Sequence, residues 1–219
     1  MQDLPTSSPG TLDVVYEDEQ LLVFDKPAGL LSVPGRGPDK QDCLSARACA
    51  RYPDALVVHR LDMSTSGLLL MARGPVLQRQ LSAAFAAREV HKRYQAVVDG
   101  VLPSTAIWSE IDAPIAADWP RRPLRVIDAS GQPSLTRWRV LQPLPERGAS
   151  QLLLEPVTGR THQLRVHLAS IGHPILGDRL YANEAVQQRA DRLMLHATEL
   201  ALTHPVTGAP LSFKSITNF

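Results

Sequence analysis

At 219 residues and 44% hydrophobic side chains, the chain can bury a core in one domain or two closely joined lobes. No run approaches the roughly 18 apolar residues that span a bilayer, and Met1–Gly10 lacks both the basic start and the apolar stretch of a secretory signal, so a cytoplasmic protein is expected. The net charge of +1 excludes attraction to polyanions by bulk charge, yet its distribution is uneven: residues 1–59 hold nine acids and five bases, residues 60–165 nine acids and fourteen bases. A basic middle in a neutral chain suits a localised phosphate-binding surface. Nineteen of the 23 bases are arginine, which makes bidentate phosphate contacts and stacks on bases, although GC-rich coding gives the same bias.

Residues 1–11, with Pro5, Ser7, Ser8, Pro9 and Gly10, read as a flexible leader, and residues 12–219 as one folded domain. Leu12–Tyr16 and Gln20–Lys26 read as strands joined by an acidic turn. A third short strand is expected at Leu30–Val33, then a helix over Cys43–Arg51. Its cysteines, Cys43 and Cys49, show no Cys-x-x-Cys or Cys/His spacing, which speaks against zinc and against a disulfide framework; both are expected to be buried or half-buried. Val57-Val58 leads into a polar loop, and Leu68–Ala72 is apolar without alternation, as in a strand buried on both faces. Pro75 opens a helix with Leu77, Leu81 and Phe85 as its stripe. Strands follow at Tyr94–Asp99, Ala106–Ile111, Leu124–Ile127, Leu135–Leu141 and Gln151–Pro156. A helix is expected from His162 to Ile171, N-capped within Thr158–Thr161 and closed by Gly172. A short helix over Glu184–Arg192 and strands at Met194–Leu202 and Leu211–Lys214 complete an α+β chain with a largely antiparallel sheet and a few flanking helices.

Four stretches can carry chemistry. The loop His59-Arg60-Leu61-Asp62-Met63-Ser64-Thr65-Ser66-Gly67 presents Asp62 at the mouth of a buried strand, either as a turn residue or as a nucleophile or general base. In Gly159–Leu168, Leu164 and Leu168 share a core-facing stripe and Arg165 lies beside it, either solvated or reaching inward. His162 and His167 stand about 140° apart on a helix, unlike a zinc-binding pair, and read as ordinary hydrogen-bonded histidines. His91-Lys92-Arg93-Tyr94 sets a tyrosine for base stacking, or for core packing, beside cations. Asp118-Trp119-Pro120-Arg121-Arg122-Pro123-Leu124-Arg125 describes a stiff cationic loop, suited to an RNA backbone or to solvent.

Together these stretches resemble the RluA family of RNA pseudouridine synthases over nearly the whole chain. The likeness runs from Lys26-Pro27-Ala28-Gly29-Leu30 through His59–Ala72 and Gly159–Leu168 to Gly172–Asp178 and Leu195-His196-Ala197. The resemblance implies the family's catalytic fold with a central RNA-binding cleft. It implies Asp62 as the catalytic aspartate, Tyr94 as the base-stacking residue that assists loss of the C5 proton, and Arg165 as the cation pairing with the aspartate. Leu164 would touch the base and Arg60 fill the place of the flipped uridine, with His59, Arg93, Arg121, Arg122 and Arg160 completing the RNA-binding set. Neither cofactor nor metal is implied. The lack of a preceding S4-like domain suits a compact subgroup that acts, as a monomer and on RNA rather than DNA or membranes, on a tRNA anticodon stem-loop and a 23S rRNA hairpin. Leu124-Arg125-Val126 departs from the lysines usual there, so fewer phosphate contacts are expected at that point. The competing readings are a catalytically silent RNA-binding or ribosome-assembly factor and a synthase of the same family with a different site. A glycosidase would require a second carboxylate.

Overall fold

The computed structural model describes residues 12–217 and 219; the leader expected over residues 1–11 lies outside them. The chain divides into two compact units, one drawn from residues up to His91 with Glu199–Ser215, the other from Lys92–Thr198 with Ile216–Phe219.

In the first unit, β1 (Val14–Glu17) and β2 (Leu21–Lys26) form an antiparallel hairpin. Asp18 closes its turn by accepting the N–H groups of Gln20 and Leu21. Helix α1 (Leu44–Arg51) and β3 (Ala55–Val57) lead to β4 (Ser66–Arg73), antiparallel to β2 with Leu21 opposite Ala72 and Lys26 opposite Gly67. Every β4 residue but Arg73 is buried, as its unbroken apolar run requires. Leu68, Leu70 and Ala72 pack with Leu21, Val23 and Leu81, the last from α2 (Pro75–Ala86). The alternate residues Leu22, Phe24, Leu69 and Met71 are buried as well.

The expected strand at Leu30–Val33 does not form. Only Leu31 bridges to Cys43, because the carbonyls of Leu31 and Ser32 accept the first N–H groups of α1, from Leu44 and Ser45. Those donors have no partner inside a helix, so the segment caps α1 instead of extending a sheet. Cys43 is buried but Cys49 is exposed, which corrects the expectation for the second thiol; both are free.

In the second unit, β5 (His91–Asp99), β6 (Ser109–Asp112), β9 (Leu135–Leu144) and β10 (Ala149–Pro156) run in the order β5-β10-β9-β6, each pair antiparallel. A separate hairpin, β7 (Ile115–Ala117) with β8 (Arg125–Ile127), lies between β6 and β9 in the chain. Helix α3 (Gln163–Ser170) lays Leu164 and Leu168 onto Ala96, Val98, Leu152 and Leu154. The helix expected over Glu184–Arg192 shortens to α4 (Glu184–Gln187), in which Val186 is the one buried residue, so no apolar stripe carries it further. Strand β11 (Leu195–Thr203) pairs its last five residues with β12 (Pro210–Lys214). The result is α+β, mostly antiparallel, with few helices.

Candidate active site

The loop that carries Asp62 is fixed by main-chain recognition. Lys26 ends β2 with no exposed surface, and its Nζ donates to the carbonyls of Pro27 (2.9 Å), Leu30 (2.8 Å) and Met63 (3.2 Å). Three ammonium protons thus meet three acceptors, the arrangement a buried cation requires. Burial pushes the Lys26 amine down to about 7, while the charges of Asp62 and Asp25 work against that shift. Gly29 N–H donates to the same Met63 carbonyl at 2.8 Å. Its φ of +88° is a conformation that suits glycine.

Ser32 holds Leu61 from both ends, donating to its carbonyl at 2.7 Å and accepting its N–H at 3.1 Å. Thr65 N–H returns to the Asp62 carbonyl at 3.1 Å and closes a turn under the half-buried carboxylate. His59 accepts the N–H of Leu70 through Nε2 at 2.9 Å and stacks on Phe85 at 4.4 Å between ring centroids. Arg60, between these anchored neighbours, is exposed.

In the second unit, Arg165 is 4% exposed, so burial replaces the solvated alternative. Its Nε and one terminal nitrogen bind Asp178 at 2.8 and 2.7 Å in a bidentate pair. Asp178 is itself set by the N–H groups of Leu180 and Tyr181. Gly177 before it has φ +74°, and a Cβ there would lie 2.0 Å from the Arg192 carbonyl oxygen. The Tyr181 ring lies under the Arg165 guanidinium at 5.2 Å. Tyr181 Oη accepts from Arg125 N–H at 3.0 Å and shares a hydrogen bond with His162 Nδ1 at 2.6 Å.

His162, at φ +58°, is the residue that precedes α3, so the expected cap within Thr158–Thr161 is displaced. The Thr158 hydroxyl is already committed, accepting from Leu135 N–H and donating to Gln163 Oε1. Gln163 ties the loop to β9: its Oε1 also accepts Arg160 N–H, and its Nε2 donates to Leu135 O and Thr136 Oγ1. His167 bonds Thr136 Oγ1 and the Ala113 carbonyl, and burial pushes its imidazole down, so it is a hydrogen-bonded core histidine, as its spacing suggested.

Tyr94 is half-buried on β5 against the cluster that contains Leu164. Arg93 is exposed and pairs with Glu155 at 3.5 Å. Burial lowers the pKa of neighbouring Lys92, whose Nζ would sit 3.9 Å from a Cβ on Gly159. Arg160 is exposed, with Nε on the Pro133 carbonyl at 3.3 Å. Arg121 pairs with Asp118 at 2.6 Å, and the Arg122 guanidinium stands 3.4 Å from the Trp119 ring centre. The first unit therefore holds His59, Arg60 and Asp62; the second holds Arg93, Tyr94, Arg121, Arg122, Arg160, Leu164 and Arg165.

Sequence reasoning gave no role to the supporting groups Lys26, Ser32, Gln163 and Asp178, although they lie in its family-like stretches, and passed over Tyr181. Lys26 did leave a signal. Alternation along β2 puts it on the face of Leu22 and Phe24, where an unpaired lysine does not belong.

The family model described as RNA pseudouridylate synthase matches residues 20–170. The chain belongs to that family, in its RluA branch, and is an RNA-modifying isomerase that converts uridine to pseudouridine. It is 48% identical over 195 residues to the dual-specificity RNA pseudouridine synthase RluA of Vibrio cholerae, covering 89% of this chain and 78% of that one. Against the RluA of Haemophilus influenzae it is 41% identical over 209 residues, 95% and 94% of the two chains. Among solved structures, the human RNA pseudouridylate synthase domain containing 1 superposes with a TM-score of 0.80 at 29% identity, over 99% of this chain and 87% of that one. Domain containing 4 gives 0.72 at 26%, over 93% and 88%.

Proposed function

We propose that the enzyme isomerises a uridine in the tRNA anticodon stem-loop and one in a 23S rRNA hairpin, with Asp62 as its catalytic carboxylate. The dual-specificity relatives support two RNA substrates. The observation that carries the role of Asp62 is its loop, anchored through main-chain atoms by Lys26, Gly29, Ser32 and Thr65. A reactive group gains most from such prior orientation.

In the reaction the N1–C1′ bond of uridine breaks, the uracil turns, a C5–C1′ bond forms, and the proton lost from C5 is balanced by one gained at N1. Asp62 either adds to C1′ or takes a ribose proton; both routes need a carboxylate facing the sugar. Tyr94 stacks under the base and assists removal of the C5 proton, and Leu164 bounds the base. Arg165, made rigid by Asp178, supplies the countercharge. Unstacking the uridine costs a few kcal/mol, least in a loop. The exposed Arg60 fills the place it leaves, with His59 behind it, while Arg93, Arg121, Arg122 and Arg160 hold phosphates. The change is an isomerisation with no net redox or hydrolysis, which asks for neither cofactor nor metal. The protein acts as a monomer in the cytoplasm.

Asp62→Asn is expected to abolish pseudouridine formation in a purified assay while RNA binding persists; near-wild-type turnover would remove Asp62 from the mechanism. Mapping pseudouridines in tRNA and 23S rRNA of cells with and without the protein names the substrates. Sites unchanged by its loss would favour a silent RNA-binding or assembly factor, and sites lost elsewhere a family member of different specificity.

A further inference from the structure

A cleft of about 660 Å³ opens in the second unit, lined by β7, Trp119, β8 and its flank to Asp128, the Ser130–Gln132 turn and the Gly159–Thr161 loop. Tyr94, Leu164 and Arg165 do not line it, so it is a different place from the one assigned above to the reacting base.

Its lining holds both signs of charge. Arg125 is fixed through its main chain, whose N–H donates to Tyr181 Oη, and its Nε is buried with no hydrogen-bond partner among the described residues. Arg160 adds a second guanidinium. Asp128 contributes a carboxylate whose Oδ1 accepts the Ser130 N–H at 2.8 Å and hydroxyl at 2.6 Å. These bonds hold its carboxyl below the usual range.

The wall carrying Asp128 is built rigidly. Gly131 N–H closes the turn onto the Asp128 carbonyl, Asp128 N–H donates to Pro114, and Ile115 and Gln132 exchange both main-chain bonds. Gly131 is packed so closely on β7 that a Cβ would lie 2.5 Å from the Ile115 carbonyl carbon. Trp119, 69% exposed, adds an aromatic side chain at the same cleft, one face of its ring already carrying the Arg122 guanidinium.

An occupant must bring an anion for the arginines, a hydrogen-bond donor for Asp128 and a flat apolar body. Free phosphate, whose P–OH could donate to Asp128, fails the third condition because it has no flat apolar body. A nucleotide meets all three. Adenine, cytosine and guanine present an exocyclic amino group to a carboxylate, whereas uracil offers one N–H flanked by two repelling carbonyls.

We propose that this cleft receives a second nucleotide of the substrate RNA, beside the reacting uridine in the same strand, with its phosphate on Arg125 and Arg160 and its amino-bearing base edge on Asp128. The proposal rests on the RNA substrate reading above. It also gives Arg125 a phosphate contact at the point where the sequence led us to expect fewer.

The test is fluorescence anisotropy of the full-length protein with a labelled tRNA anticodon stem-loop, and with copies in which each loop nucleotide other than the target is made abasic in turn. Arg125→Ala is expected to weaken binding of the intact loop about tenfold and to flatten the slope of log affinity against log salt by about 0.7; Arg125→Lys restores the slope. One abasic position costs the wild type about tenfold and costs the Asp128→Asn protein nothing further. Abasic losses that add to Asp128→Asn at every position, or an unchanged salt slope in Arg125→Ala, overturn the proposal. Turnover of the same loop is measured in parallel. Wild type that binds the loop without converting its uridine removes the tRNA assignment, and the coupling measurement still decides the cleft.

Discussion

Lys26 spends its three ammonium protons on main-chain carbonyls, so its removal takes a donor from Pro27 and Leu30 and leaves the Met63 carbonyl with the Gly29 N–H. Lys26→Met is expected to cost about 1–3 kcal/mol in urea unfolding and to lower turnover, since Met63 and with it Asp62 lose an anchor. The pH dependence follows from a folded pKa of about 7 against 10.5 for the free side chain. Below 7 both folded and unfolded Lys26 are protonated and contribute no slope. Between 7 and 10.5 the unfolded chain binds the extra proton, so the Lys26 contribution to wild-type stability grows with pH, by at most about 1.4 kcal/mol per unit. Comparing the unfolding free energies of wild type and Lys26→Met across pH 6 to 10 checks this; a constant difference would refute it. Asp178→Asn, which breaks the bidentate pair on the 4% exposed Arg165, is expected to destabilise by about 3–5 kcal/mol in the same assay.

At the scale of elements, what the sequence made legible is what local pattern decides. β4 is an unbroken apolar run, and α2 carries Leu77, Leu81 and Phe85 behind a proline at its start; both stand where that pattern puts them. The misplaced elements were decided by partners distant in the chain. Leu30–Val33 has strand-forming residues but gives its carbonyls to α1. β7, three residues after Pro114, is too short to show alternation and exists through β8 and Gln132. The same division holds in the site. Asp62 and Tyr94 were singled out by motif, whereas Asp178 and Tyr181 lie in an irregular connection and gain meaning from Arg165 and His162. That connection depends on Gly177, where a methyl group would add a steric clash to a positive φ. Gly177→Ala is therefore expected to lower the thermal midpoint by several degrees, corresponding to about 2–3 kcal/mol.

For the molecule as a whole, a net charge of +1 conceals a basic middle, with fourteen bases against nine acids over residues 60–165. Part of that charge is paired within the protein: Arg137 with Glu110 and Arg73 with Asp54. RNA affinity is nonetheless expected to fall steeply with salt, because phosphate contacts scale with the local cluster of cations and not with the total. Titrations at several salt concentrations that gave no slope would contradict this. The Lys26–Ser32 anchoring has a consequence for variation at this site. Lys26, Gly29 and Ser32 read main-chain carbonyls and the Leu61 N–H, which any residue at Leu30 or Met63, and any but proline at Leu61, would supply. The side chain at Met63, 52% exposed, is thus open to drift one position from the carboxylate proposed to react. A saturation scan should find the permissive and the forbidden side by side, with broad tolerance at Met63 and almost none at Lys26.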